Sequence, residues 1–239
     1  MQMFIDVIRY EDSSQHSIPN THCVILDPRV GATLNWEYLH AKKKVPQPFD
    51  PVVLHEVLDN LLPSDMELCG CNIIMVPMHH RHHWTLYVIN FTLRRIDILD
   101  PNPYGPALAG MSWADHHKNT VKTEGKKWQR CKLIVSRLTK AIQQVRPHST
   151  IPKFGKYQIA PILNLPVMHP LSNDSGFYVM FYLKYYDFND GQVKGTLNQD
   201  NISTLRSEIL HLLTFHYLNE IKPLPAEVEM LRRTVQSEG

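Results

Sequence analysis

The stretch Val167-Met-His-Pro-Leu-Ser-Asn-Asp-Ser-Gly-Phe-Tyr-Val-Met-Phe-Tyr-Leu183 decides how this chain is read. A polar, turn-prone segment, Ser172 to Gly176, runs into an unbroken apolar and aromatic run. The pattern predicts a helix from about Ser175 through Phe177, Val179, Met180, Phe181, Leu183 and Tyr185. A helix apolar on every side is a buried one. Its N-terminus carries unpaired N–H groups and a partial positive charge, a setting that suits an anionic nucleophile or a developing oxyanion. The plainer reading is a core helix capped by Asp174 or Ser175. Taken alone, the stretch fits both.

Working outward, Ile159-Ala-Pro-Ile-Leu163 reads as a strand leading into this segment. Asn189-Asp-Gly-Gln192 reads as the turn that follows it. Leu205, Ile209, Leu212 and Leu213 then fall on one stripe of a C-terminal helix, and the tail from Pro223 is polar. Upstream, Trp128 to Val145 has helical spacing through Leu133, Ile134, Leu138, Ala141 and Ile142. Residues 101–125, rich in proline, glycine and histidine, read as loop. Asn72-Ile-Ile-Met-Val76, Trp84 to Asn90 and Arg95 to Leu99 are strands, the last two joined as a hairpin around residues 91–94. Pro51 opens a helix that Pro63 stops. Lys42-Lys-Lys44 and Val45-Pro-Gln-Pro-Phe49 form a surface connection. Asn35 to Leu39 reads as a helical turn, Cys23 to Leu26 as a short strand, and Met3 to Arg9 as an edge strand. This order predicts one α+β domain over residues 1–239.

Composition narrows the class. The 239 residues are 43% hydrophobic and 20% charged with a formal net charge of +2, an ordinary globular balance that argues for neither nucleic acid nor membrane as partner. No apolar run is long enough to cross a bilayer, and the first residues do not read as a secretory signal. Cys23, Cys69, Cys71 and Cys131 are too few and too scattered for a disulfide framework, which favours a reducing, intracellular setting. Cys69-Gly-Cys71 lacks both the spacing and the second pair of a structural zinc site.

Two histidine groupings carry chemistry. In His79-His80-Arg81-His82-His83, an extended backbone would turn His80 and His82 to one face and His83 to the other. Two such imidazoles and a third ligand would bind zinc, but no third ligand lies nearby in sequence. The second grouping is His83 with Asp100, which the hairpin brings together. A carboxylate beside an imidazole fixes its tautomer and stabilises the imidazolium during proton transfer. Asp100 also suits a turn at Asp100-Pro101-Asn102, and the two readings are compatible.

His83-Trp84-Thr85-Leu86-Tyr87-Val88-Ile89-Asn90, Ile98-Leu99-Asp100 and Asn173-Asp174-Ser175-Gly176-Phe177-Tyr178-Val179 stand in that order. Together they resemble the SUMO-protease family of cysteine peptidases, the ubiquitin-like-protein-specific proteases. The divergent form looks most like plant members, including transposon-associated ones. The resemblance covers roughly residues 20–220. It implies a papain-like α+β fold with a central helix packed on a mixed or antiparallel sheet. It also implies a nuclear or cytoplasmic thiol protease that acts on SUMO or another ubiquitin-like protein and its conjugates, with no metal or organic cofactor. Carried over position by position, His83 would be the general base and Asp100 its orienter. Trp84 would lie beside the substrate's diglycine tail, although it also suits plain core packing.

The chain departs from the family's pattern twice. Ser175 stands where the family has its nucleophilic cysteine, and His169, six residues earlier, stands where it has the oxyanion-hole glutamine. A thiol is readily ionised by a neighbouring histidine and a helix N-terminus, whereas a serine hydroxyl must lose its proton as it attacks. Loss of one oxyanion donor costs on the order of 10²–10³ in rate. The expectation is therefore a peptidase scaffold with little or no turnover. Two origins fit the serine: an introduced Cys→Ser replacement, or natural divergence to a pseudoenzyme that binds without cleaving. A serine hydrolase using Ser175 is a further alternative, and a chymotrypsin-type barrel is disfavoured by the short interval between His83 and Asp100.

Overall fold

The computed structural model describes residues 1–15, 23–36, 49–105, 110–123, 126–162, 164–221 and 223–230. The expected connection at 42–48 lies outside these residues, as do Leu163 and most of the expected turn at 35–39. The fold is built on a five-stranded mixed sheet in the order β1-β2-β3-β4-β7. Its strands are β1 (Cys23–Ile25), β2 (Ile73–His80), β3 (His83–Asn90), β4 (Arg95–Leu99) and β7 (Gln158–Pro161). The outer pairs, β1 with β2 and β4 with β7, are parallel, and the inner pairs are antiparallel.

Both faces of this sheet are buried, and strand periodicity sorts the side chains between them. Ile74, Val76 and Met78 of β2, Tyr87 and Ile89 of β3, and Ile96 and Ile98 of β4 face one core. That core is covered by α2 (Pro28–Leu34), by a 3₁₀ turn (Pro51–Leu54) continuing as α3 (His55–Leu61), by α4 (Asp65–Leu68) and by α6 (Arg130–Val145). Ile73, Met75, Leu86, Val88 and Leu99 face the other core, covered by α1 (Gln2–Gln15), α7 (Ser175–Tyr185) and α8 (Ile202–Phe215). The connection after β4 carries α5 (Trp113–His117), which leads to a small hairpin of β5 (Thr120–Thr123) and β6 (Lys126–Gln129). After α7, β8 (Tyr186–Asp187) and β9 (Gln192–Val193) flank the expected turn.

Three local expectations are corrected. Residues 3–9 form part of helix α1, not an edge strand: Phe4, Ile5 and Val7 are buried, a spacing that closes on one helical face. Residues 101–125 are not all loop. Ser112 and Asp115 form a reciprocal capping box that starts α5. The histidine run is a hairpin tip rather than one extended segment. β2 ends at His80, and Arg81 and His82 take the two positive-φ positions of a tight turn (φ 48° and 63°) before β3 begins at His83. His80 and His82 therefore do not share a strand face, and the zinc pairing considered for them loses its geometric basis.

α2 lies so close to β2 that a Cβ on Gly31 would sit 2.3 Å from the Pro77 carbonyl oxygen and 2.8 Å from the Met78 sulfur. α7 packs on β3 and buries Tyr178, Val179, Met180, Phe181, Tyr182 and Leu183. This contact brings the N-terminus of α7 to the start of β3.

Candidate active site

Four of the five residues singled out in the sequence converge where β3 begins, β4 ends and α7 begins. In the β3–β4 ladder Leu86 pairs with Leu99. Continued by one step, this register sets Thr85, not His83, opposite Asp100. His83 lies two residues further along the same face and reaches Asp100 diagonally, as neighbours on one face of a sheet do. Its Nε2 lies 2.7 Å from Asp100 Oδ1. Because a carboxylate only accepts, Nε2 carries the proton, which leaves Nδ1 of a neutral ring as an acceptor.

Asp100 is 4% exposed and accepts from three further donors. The Asn102 backbone N–H donates to Oδ1 at 2.9 Å, so the expected Asp100 turn and the His83 contact exist together. His117 Nε2 lies 2.7 Å from Oδ2, and the Tyr104 hydroxyl donates to Oδ2 at 2.5 Å. Burial by itself would raise the Asp100 pKa. The hydrogen bonds from His117 and His83 outweigh it and hold the group far below the usual carboxylate range. Burial lowers His117, which therefore donates as a neutral ring, and its Nδ1 lies 3.4 Å from the Tyr87 hydroxyl. Burial, then the negative charge of Asp100, push the Tyr104 phenol up. Tyr104 and His117 were not legible as site residues in a segment read as loop; the sequence signal was the Ser112–Asp115 capping box ahead of His116-His117.

Ser175 is 2% exposed and opens α7. Its hydroxyl oxygen accepts the backbone N–H of Trp84 at 3.1 Å. Among the described hydrogen bonds none joins Ser175 to His83, so the two are linked through the peptide that follows the histidine. The Trp84 indole rests on Gly176, where a Cβ would meet its Cδ1 at 3.4 Å, and it stacks at a tilt on His79 with centroids 4.6 Å apart. Asp174 precedes the helix without a side-chain cap; its carboxylate instead takes the Ser172 hydroxyl and pairs with Arg206 of α8.

His169 is the fifth of these residues. It is exposed in the loop before α7, and its Nδ1 accepts the Leu171 backbone N–H at 3.3 Å. With Asp174, Tyr178, Arg206 and neighbours it lines an open cavity of about 400 Å³. The same loop is tied to the Asp100 segment where Met168 N–H donates to the Pro101 carbonyl at 2.8 Å. Cys71 and Cys131 are buried in the core on the face of the sheet opposite α7, so neither stands in the place of Ser175.

Neither a family model nor a curated protein matches the sequence. Solved structures do match in shape. One is the SUMO protease Ulp1 with its catalytic cysteine oxidised to a sulfonic acid, at 14% identity and a TM-score of 0.51, covering 89% of this chain and 74% of that one. A second is the C-terminal Ulp1 protease domain in complex with Smt3, the yeast orthologue of SUMO, at 16% identity and 0.50, covering 89% and 75%. A third is a de-sumoylating protease, at 11% identity and 0.51, covering 99% and 84%. The fold is Ulp1-like. At these identities the likeness concerns architecture alone, and the Ulp1-like scaffold agrees with the papain-like α+β class expected from the sequence. Among the described residues no helix is long and apolar enough to cross a membrane.

Proposed function

We propose that residues 1–239 form one ubiquitin-like-protease-type domain that binds SUMO or another ubiquitin-like protein, and that with Ser175 in place it cleaves poorly or not at all. The observation that carries this reading is the convergence of the His83–Asp100 pair with the buried start of α7, joined by the Trp84 N–H to Ser175 Oγ contact of 3.1 Å. In this reading His83 is the general base, oriented by Asp100, Ser175 holds the nucleophile position, and Trp84 lies beside the diglycine tail. His169, exposed in the loop before α7, holds the altered oxyanion position.

Impairment is supported by the state of the hydroxyl. Attack requires a base to take its proton as the bond to carbon forms. Here the Trp84 N–H takes one lone pair of the oxygen, and among the described residues the hydroxyl makes no hydrogen bond to His83, the base that would take its proton. A thiol in the same place would need only to be ionised. The partner class is supported by the Ulp1 domain solved with Smt3, which has the same fold. Such a role belongs in the nucleus or cytoplasm.

The test is incubation with SUMO and other ubiquitin-like proteins carrying vinyl-sulfone or fluorogenic C-terminal groups, comparing the Ser175 protein with Ser175→Cys. We expect Ser175 to bind without turnover and Ser175→Cys to label and cleave. Binding without cleavage in both forms would implicate His169 and favour a recognition module. Absence of binding in both would sink the proposed partner class.

A further inference from the structure

We propose that Asp100, His116 and His117 form a binding site for a divalent transition metal, with zinc the ion that best suits them. Each residue presents one ligand atom, and the three atoms lie within 4.8 Å of one another. Bonds of about 2.0–2.2 Å from zinc to nitrogen or oxygen set tetrahedral ligand atoms about 3.5 Å apart, so side-chain movements of about 1 Å would close the set. Two imidazoles and a carboxylate favour zinc, cobalt, nickel or copper over magnesium or calcium, which prefer all-oxygen shells. Three protein ligands leave the fourth position to water.

The surroundings supply the outer contacts that such ligands need. A ligating histidine is normally fixed through its other ring nitrogen, and a ligating carboxylate is itself hydrogen-bonded. His117 Nδ1 lies 3.4 Å from the buried Tyr87 hydroxyl. When the metal takes Nε2, the ring proton moves to Nδ1, where that hydroxyl accepts it. Tyr104 steadies Asp100 through its hydroxyl at 2.5 Å. His116 and His117 sit at the end of α5, whose start is fixed by the Ser112–Asp115 capping box, with ring centroids 4.8 Å apart. The ion would take Oδ2 and leave Oδ1 to His83, so its charge would sit one carboxylate away from that imidazole. Only this last consequence rests on the peptidase reading; binding does not.

The experiment uses the full chain with Ser175, so that no thiolate at the nucleophile position competes for metal. After chelator treatment, zinc is titrated by calorimetry and cobalt by its visible absorption. One equivalent is expected, with tetrahedral cobalt bands. His116→Ala should weaken binding at least tenfold, while His79→Ala and His82→Ala at the hairpin tip should leave it unchanged. Long-range proton–nitrogen spectra of the unsubstituted protein, which do not depend on any variant folding, should show zinc moving the His116 and His117 ring signals. Failure to bind at micromolar zinc, equal affinity in His116→Ala, or loss only in the hairpin-tip variants would overturn the site. None of these readouts depends on cleavage of a ubiquitin-like substrate.

Discussion

One carboxylate holds the site together. Asp100 accepts from His83, His117, Tyr104 and the Asn102 backbone, and these donors keep it ionised although it is buried. In Asp100→Asn the amide offers one acceptor where the carboxylate offered two oxygens, and its NH₂ faces N–H donors. His83 would then lose the partner that fixes its tautomer. In the Ser175→Cys background this should lower kcat/KM for a fluorogenic ubiquitin-like substrate by about 10²–10⁴-fold, the usual contribution of general acid–base catalysis. A fall below tenfold would mean that Asp100 is a turn residue alone. Burial also sets thiol reactivity. Cys69 is exposed, whereas burial pushes the Cys71 thiol up to about 12. In native protein at neutral pH a maleimide should modify Cys69 first, with Cys71 reacting only on unfolding. Mass mapping that finds Cys71 modified as fast as Cys69 would contradict its packing beneath β2.

At the scale of elements, the α2–β2 contact is the tightest test of the fold. The Gly31 Cα approaches β2 so closely that any side chain must displace backbone, since the nearest atom is the Pro77 carbonyl oxygen. Gly31→Ala should therefore cost about 1–3 kcal/mol, the range for overpacking, read as a fall in urea midpoint at unchanged slope. An unchanged midpoint would place α2 further from the sheet. The elements that were legible, β3, β4, α6, α7 and α8, are long or strongly periodic. α1 was misread because Met3, Ile5 and Val7 alternate as a strand does, while Phe4 and Ile8 complete a helical face; only packing against α8 chooses between them. α5 was missed because five residues carry too little periodicity to stand out from a proline- and glycine-bearing segment.

For the whole molecule, pH acts through buried histidine. His80 ends β2 at 8% exposure, and burial, reinforced by the positive charges of Arg130 and Arg81 and by His116 and His79, lowers its pKa to about 3. A folded pKa below the unfolded 6.5 means that the unfolded chain binds the proton more readily between those values. The stability contributed by neutral His80 is present above about pH 6.5 and is lost as pH falls toward 3. The melting temperature should drop over that window, and His80→Gln should make the drop shallower; identical slopes would show that His80 is solvated. By itself the sequence determined the α+β class, the helix at Ser175, the β3–β4 hairpin and the proximity of His83 to Asp100, because these follow from periodicity and from a turn a few residues long. Only the tertiary structure decided that Ser175 meets the Trp84 backbone rather than His83, that His169 is exposed with its ring on the Leu171 N–H, and that Tyr104, His116 and His117 surround Asp100. Those contacts join segments whose relative placement is set by burying both faces of one sheet, and no local pattern encodes that placement.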